Sequence, residues 1–153
     1  MHGSQEDTQA INARLAGMLV LAADGSGKTR QAIARDAALH KDTLLRALRG
    51  SRPIAIAEAA SILKACGVGP GLVFQAVLSG CEEPATLWMH GDAARFVETL
   101  LADLPVAIHE AVGERALELR SQWAKGTARL VGQMLARHLD EVAELDLAKA
   151  FRR

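Results

Sequence analysis

Basic side chains are concentrated in one short stretch of the chain. Between Lys28 and Arg52 there are seven Lys or Arg residues against only Asp36 and Asp42. The whole chain has 18 basic and 18 acidic residues and no formal net charge, so this excess is local. A local cluster of cations binds a phosphate backbone by displacing its counterions. The stretch therefore indicates nucleic acid as a candidate partner.

A second motif overlaps the start of this stretch. Ala22 lies five residues before Gly27-Lys28-Thr29, a spacing that fits a relaxed phosphate-binding loop. In such a loop Lys28 would contact nucleotide phosphates and Thr29 would contact Mg²⁺. However, alanine replaces the first glycine, and no second apolar strand is available to carry a metal-binding Asp. We therefore expect a helix over 18–21 followed by a polar loop, and keep a nucleotide-binding enzyme as an alternative.

The composition indicates the elements that must position these residues. The chain has 153 residues, enough for one domain or two small ones; half of them are hydrophobic and only 3% are aromatic. Ala and Leu favour helices, whereas sheets prefer β-branched and aromatic residues. An all-α fold is expected and an all-β sandwich is excluded. Apolar spacing, with Thr8 as an N-cap and Gly50 and Gly67 as C-caps, predicts helices over 8–23, 29–37, 40–49, 55–66 and 71–79.

The remaining residues are expected to form a second helical region. Residues 81–91 contain Pro84 and Gly91 and are predicted as a connector. A helix is predicted over 92–104, with Pro105 at the first position of the next. From there to the end the pattern stays helical with an interruption at Gly126, and whether it forms one helix or two stays open.

The residues that carry a family resemblance lie in the basic stretch. Residues 29–50 read TRQAIARDAALHKDTLLRALRG and resemble the helix-turn-helix of the Cro/CI-type (Xre-like) phage repressor family. The resemblance covers about residues 8–80 and is shared with addiction-module antitoxins of the same fold. It implies a five-helix, lambda-repressor-like DNA-binding domain over 1–80. Ala38 stands at a turn position where this family often has glycine. Because alanine resists positive φ, either the turn differs or strain is stored.

The resemblance also implies which side chains contact double-stranded DNA. The second helix of the pair would lie in the major groove, with bases read from its N-terminal part. The implied base-reading residues are His40, Lys41, Asp42, Thr43, Leu45 and Arg46. The implied phosphate contacts are Thr29, Arg30, Arg49 and Arg52.

Residues 92–153 are predicted to mediate self-association. An apolar stripe at helical spacing is the expected dimer interface, formed by Val112, Leu119, Trp123, Leu130 and Met134. A homodimer would present two helix-turn-helices to a near-palindromic operator. Alternatively, this region binds a different protein, as in an antitoxin that neutralises a toxin and represses its own operon.

No catalytic or cofactor chemistry is expected from the remaining candidates. Cys66 and Cys81 cannot build a disulfide framework, and no Cys/His group has zinc-finger spacing. No signal peptide is recognised, and the apolar run 17–23 is too short to cross a membrane. The sequence therefore predicts a cytoplasmic, nucleoid-associated transcriptional regulator, repressor or activator, with no enzymatic activity, no metal and no cofactor.

Overall fold

The computed structural model describes the backbone of residues 3–150 and the side chains of residues 5–145. All regular structure in these residues is helical, which confirms the predicted all-α class. The α-helices are α1 Gly3–Gly25, α2 Arg30–Asp36, α3 Lys41–Leu48, α4 Ile56–Ala65, α5 Pro70–Ser79, α6 Glu82–Trp88, α7 Asp92–Val112 and α8 Ser121–Ala150. A 3₁₀ helix spans Gly113–Glu118.

The chain divides into two compact units, Met1–Leu104 and Pro105–Arg153. In the first unit, α1 packs against α3, α4, α5 and α6, while α2 packs against α3 and α4. The largest side chains withdrawn completely from solvent come from five of these helices: Leu19, Ile33, Leu44, Ile62, Leu63 and Val73. The apolar faces of α2 and α3 lie in this core, and half-buried Leu39, from the turn between them, packs against it.

Helix ends in the first unit follow a repeated pattern. The residue just after the last turn has a positive φ at Gly50, Gly67 and Gly80, with values of 65°, 75° and 68°. Glycine adopts this left-handed conformation without a steric cost, and it lets the following N–H groups reach the last helix carbonyls. Gly50 and Gly67, predicted as C-caps, thus end α3 and α4 as expected, one residue after the C-caps Arg49 and Cys66. Thr29 caps α2, because its hydroxyl accepts a hydrogen bond from the N–H of Ala32 at 3.2 Å.

Several predicted boundaries were wrong. Thr8 does not cap the first helix, because α1 already begins at Gly3. Pro105 does not start a helix either; it lies inside α7, which continues to Val112. The interruption expected at Gly126 occurs earlier, at Gly113, where φ is 56°, and α8 runs straight through Gly126.

The predicted connector, residues 81–91, contains a helix that belongs to the core. α6 packs against α1 and α5, and Ala85 and Met89 are buried. Pro84 lies in the first turn of α6, where its missing N–H has no intrahelical partner to lose. The proline thus fits the start of a helix as well as it fits a linker. The core also includes Ala94 of α7, so the first unit extends past residue 92.

The second unit has no comparable core. None of the side chains of residues 105–145 is buried. The five residues predicted as a dimer interface are all exposed: Val112 (38%), Leu119 (53%), Trp123 (50%), Leu130 (67%) and Met134 (62%). They do not form the single stripe on one helix that their spacing predicts: Val112 ends α7, Leu119 follows the 3₁₀ helix, and only Trp123, Leu130 and Met134 lie on α8. The stripe is interrupted because the chain leaves the α-helix at Gly113, where φ is positive.

Candidate nucleic-acid interface

The basic side chains of α3 lie on the face opposite its core contacts. α3 buries Leu44, Ala47 and Leu48, and it packs against α1 and α2. Since successive residues are rotated by about 100° around a helix, the other side is left for five residues. These are Lys41, Asp42, Leu45, Arg46 and Arg49, which span an arc of about 140°. All except half-buried Leu45 are exposed. Four of the base-reading candidates thus share a face with the phosphate candidate Arg49.

The two remaining base-reading candidates flank this surface. His40 is the exposed N-cap residue of α3, and its side chain makes no capping hydrogen bond. Thr43 is half-buried and is turned away from the centre of the exposed arc. Six predicted base-reading residues are therefore contributed by one element of eight residues and its cap.

The cations of this face have no partners within the described part of the chain. The side chains of Lys41, Arg46 and Arg49 form no ion pair or hydrogen bond there. Ser51 bonds to Arg46, but only through the backbone carbonyl, with an Oγ–O distance of 3.1 Å. Asp42 lies in the first turn of α3, where a carboxylate interacts favourably with the helix dipole. Three unpaired positive charges are thus available to an external anion.

Two of the predicted phosphate contacts are already used within the protein. The hydroxyl of Thr29 is occupied as the N-cap of α2. Arg30 forms an ion pair with Asp24 at the end of α1. Their positions at the start of α2 agree with the prediction, but each would have to exchange or share an internal contact to bind phosphate.

Arg52 is held more firmly still. Its guanidinium pairs with Glu58 of α4 and donates hydrogen bonds to the carbonyl oxygens of Pro53 at 3.1 Å and Thr43 at 3.5 Å. The side chain is only 22% exposed and that of Glu58 13%. Arg52 therefore links α3 to α4, and its charge is largely compensated by the protein itself.

Asn12 is a second linking residue, and the sequence reasoning missed it together with Glu58. The amide of Asn12 in α1 donates to the carbonyl of Arg52 at 3.1 Å and accepts from the N–H of Ile54 at 2.9 Å. These two bonds satisfy the backbone of the loop after α3. Asn12 lies about forty residues away in the chain, so no local spacing could have indicated this contact.

The turn between α2 and α3 has an unusual residue at its centre. Ala38 has a φ of 55°, whereas the corresponding position after α3, α4 and α5 is glycine. The N–H of Leu39 bonds to the carbonyl of Ala34 at 2.8 Å, and that of Ala38 bonds to Arg35 at 3.0 Å. Of the two alternatives that the sequence left open, the positive φ favours the second: Ala38 adopts the left-handed conformation, and backbone strain is stored there.

The side chain of Lys28 makes hydrogen bonds within the protein, so it is not free to contact a nucleotide. Its Nζ atom donates to Asp36 Oδ2 at 3.0 Å and to the carbonyl of Ala65, at the end of α4, at 2.7 Å. The hydrogen bond from Lys28 is the main cause of a lowered pKa for Asp36, partly opposed by desolvation. Residues 18–21 belong to α1, as expected. The strand that precedes a phosphate-binding loop is thus replaced by a helix, and the amine is engaged.

Glu98 of α7 caps the N-terminus of α5, although the two residues that bond are 26 positions apart in the chain. Its Oε1 accepts a hydrogen bond from the N–H of Leu72, in the first turn of α5, at 3.0 Å. A Cβ atom at Gly69 would lie 1.9 Å from this carboxylate, so a larger residue there would displace the end of the Glu98 side chain. The cleft beside it, of about 590 Å³, is lined by residues of α7 and of the α4–α5 junction. This internal anion takes the place that an external one would occupy at the α5 N-terminus.

Other candidate chemistry is limited in the described residues. Cys66 is buried, and this burial raises the pKa of its thiol, which favours the unreactive protonated form. Across residues 5–145, no three His, Cys, Asp or Glu side chains are grouped so that they could hold a metal ion. Among the described helices, none combines the length and apolar character needed to cross a membrane.

Comparison of the chain with protein-family models, with curated proteins and with solved structures finds no match.

Proposed function

We propose that the protein is a sequence-specific, double-stranded DNA-binding transcriptional regulator of the helix-turn-helix type. The observation that carries this proposal is the exposed face of α3, where Lys41, Arg46 and Arg49 are unpaired while the opposite face is fixed in the core. α2 packs against α3 across a four-residue turn, an arrangement that supports insertion of α3 into a major groove. Such a regulator would act in the cytoplasm, on the nucleoid.

Different residues of this face have different roles in the proposal. Arg46 and Lys41 contact guanine O6 and N7, while Asp42 accepts a hydrogen bond from cytosine N4. His40, Thr43 and Leu45 complete the base contacts around them. Arg49, at the other end of α3, contacts the phosphate backbone, and so does Arg30 when it exchanges its ion pair with Asp24.

We propose that a dimer allows this interface to bind both halves of an operator. One helix-turn-helix covers only a half-site, so two copies bind a near-palindromic operator with recognition helices about 34 Å apart. The exposed apolar stripe of the second unit, formed on α8 by Trp123, Leu130 and Met134, supplies the proposed interface between copies, with Val112 and Leu119 beside the start of this helix in the chain. No cofactor or catalytic step is part of this function.

The proposal is tested with the protein and a DNA fragment selected from a random-sequence pool. Fluorescence anisotropy should show affinity that falls steeply with salt, at about 0.9 logarithmic units per logarithmic unit for each phosphate contact. Arg46→Ala should weaken specific binding by about 1–3 kcal/mol and relax the preference at one base pair. Arg49→Ala should weaken binding to all sequences and reduce the salt slope by about one.

Arg95→Ala is the control, because this exposed arginine lies in α7 of the same unit and pairs with Asp92 at 2.8 Å instead of being free for an external anion. Binding should be unchanged in this variant. A flat response to salt, or no selected sequence at all, contradicts DNA-binding regulation. Identical behaviour of the Arg46 and Arg49 variants contradicts the division between base and phosphate contacts.

The unburied stripe of the second unit also favours a second candidate function, that of an antitoxin. In that case the toxin binds to the stripe and covers it, while α3 binds the operator of the same operon. Co-expression with the product of the adjacent gene would then give a stable heterocomplex. A chain that stays a homodimer under co-expression contradicts this alternative.

A further inference from the structure

Leu45 is an apolar side chain on a charged face. It lies within the exposed arc of α3, with Lys41 and Asp42 one turn before it and Arg49 one turn after it. Around the helix it is about 40° from Arg49 and about 60° from Asp42. The other residues of this arc all carry a formal charge, so Leu45 is its one member without a hydrogen-bonding side chain.

The half-burial of Leu45 is not explained by the core. Leu44 and Leu48 of the same helix belong to the buried cluster, and half-buried Leu39 packs against that cluster. Leu45 is not among the half-buried apolar side chains that pack against it in the described part of the chain. Its apolar surface is therefore not part of what fixes α3 in the core, and its exposed part is open to an external group.

The base-pair edges in a major groove carry one apolar group. Guanine, adenine and cytosine present hydrogen-bond donors and acceptors there, and thymine presents an acceptor together with its C5-methyl group. A leucine placed against a donor or acceptor would remove water from it without replacing the hydrogen bond, which costs free energy. Against the methyl group, the same leucine withdraws apolar surface from water. The chemistry of Leu45 therefore matches thymine better than any other base.

We propose that Leu45 selects a thymine in each half-site through the C5-methyl group of that base. The inference rests on the proposed function, in which α3 binds DNA, and it names one base that this surface contacts. Asp42 lies three residues before Leu45, about 4.5 Å along the helix axis, and base pairs are stacked about 3.4 Å apart. The selected thymine thus lies within two base pairs of the cytosine assigned to Asp42.

Replacement of single thymines by deoxyuridine tests this contact. Deoxyuridine lacks only the C5-methyl group, so every hydrogen-bonding group of the base pair is kept. The DNA fragment selected from the random-sequence pool is remade with one such replacement at a time, and fluorescence anisotropy measures its binding to the full-length protein. Replacement at one position in each half-site should weaken binding by about fourfold, the effect of one methyl group returned to water.

A double-mutant cycle with Leu45→Ala assigns the methyl group to this side chain. In this variant the fourfold difference between the thymine and deoxyuridine fragments should fall below about twofold, because most of the apolar partner is gone. Each comparison is a ratio of two affinities for one protein sample, so a change in the folded fraction cancels. Leu78→Ala is the matched control. Leu78 is 68% exposed on α5 of the same unit, and its variant should keep the fourfold difference.

The outcomes separate this contact from the proposed function. Sequence-specific binding that no single deoxyuridine weakens overturns the assignment of Leu45, and so does a fourfold difference that persists in Leu45→Ala. Both results leave the proposed regulator in place. Absence of sequence-specific binding by the unchanged protein contradicts the regulator itself, and the thymine contact with it.

Discussion

The two units of this chain are both helical, but they use their apolar residues in different ways. In Met1–Leu104 the stripes of α1 to α6 face one another and withdraw large side chains such as Leu19, Leu44 and Ile62 from solvent. In residues 105–145 no side chain is buried, and the apolar residues Trp123, Leu130 and Met134 of α8 are exposed. Helical periodicity therefore specifies which face of a helix is apolar, and burial depends on whether the same chain supplies a second face. The first unit covers its own apolar face, while residues 105–145 leave theirs exposed.

The largest expected effect on stability distinguishes a buried leucine of the first unit from an exposed leucine of the second. Leu44→Ala removes a side chain that is 0% exposed at the meeting point of α3 with α1 and α2. We expect it to lower the free energy of unfolding by about 2–5 kcal/mol, since it leaves a cavity in the core. Leu117→Ala removes a side chain that is 94% exposed and should change stability by less than about 0.5 kcal/mol.

Urea denaturation followed by circular dichroism measures both variants. Equal losses of stability would break the comparison between the units, because they would show that Leu117 is as well covered as Leu44.

Local sequence patterns predicted most of the first unit because its determinants are close together in the chain. The faces of α2 and α3, the cap at Thr29 and the glycines at 50 and 67 all depend on residues within one or two turns. The contacts of Asn12 and Glu98 join residues forty and twenty-six positions apart, and nothing in the spacing marks them. For residues 81–91 the same proline and glycine suit a linker or a short helix, and only packing against α1 and α5 decides between them.

The candidate site shows the same difference between features set by neighbouring residues and features set by distant ones. The position of each base-reading residue on α3 could be predicted, since the helical repeat fixes which side faces the core. Whether the side chain of a given arginine is unpaired could not be predicted, because Arg49 and Arg52 are similar in sequence context. Glu58 and the carbonyl of Thr43 make the difference, and they approach Arg52 only after α3 and α4 have packed.

The second prediction separates Arg52 from Arg49 by stability. Arg52→Ala removes the ion pair with Glu58 and two hydrogen bonds to backbone carbonyls, and it leaves a carboxylate that is only 13% exposed. We expect a loss of about 1–3 kcal/mol, because a poorly solvated charged group loses its partner. Arg49→Ala should leave stability unchanged within about 0.5 kcal/mol.

Thermal unfolding of the two variants in the absence of DNA is the measurement. Glu58→Gln should reproduce most of the loss seen with Arg52→Ala. An Arg52→Ala variant as stable as Arg49→Ala would mean that the guanidinium is free in solution, which would restore it as a phosphate contact.

The third prediction concerns left-handed backbone positions in the two units. Ala38→Gly should stabilise the first unit by about 0.5–1 kcal/mol, because relief of the strain at a φ of 55° exceeds the added entropy of the unfolded chain. Gly67→Ala is the mirror experiment and should destabilise by about 0.5–1 kcal/mol, since no atom lies within 4 Å of the new Cβ and the same strain and entropy contributions apply with opposite sign.

Gly113→Ala provides the comparison with the second unit. It introduces the same conformational cost at a φ of 56°, where again no atom lies within 4 Å. The main unfolding transition, which reports on the core of the first unit, should not move. A shift as large as that of Gly67→Ala would show that the two units unfold as one.

The smallest expected effect is a dependence on pH, and it tests a contact on the surface of the first unit. Asp36 accepts a hydrogen bond from Lys28, and this contact, with a smaller contribution from Arg35, lowers the pKa of its carboxyl group. A carboxyl group whose pKa is lower in the folded state than in the unfolded state stabilises the fold above its unfolded pKa of about 4. That contribution is lost as the pH falls through the lower, folded value. Asp36→Asn should therefore have a lower melting temperature than the unchanged protein at pH 7, and the two should converge near pH 2.

A double-mutant cycle assigns this effect to the pair. In a Lys28→Met background, Asp36→Asn should alter the melting temperature at pH 7 less than it does with Lys28 present, because the main donor is gone. Lys28 also bonds to the carbonyl of Ala65, so Lys28→Met alone should reduce stability at pH 2 as well as at pH 7. If Asp36→Asn has the same effect with and without Lys28, the two side chains are not coupled. The bond from Lys28 to the carbonyl of Ala65 would then be the only one of its two contacts that contributes to stability.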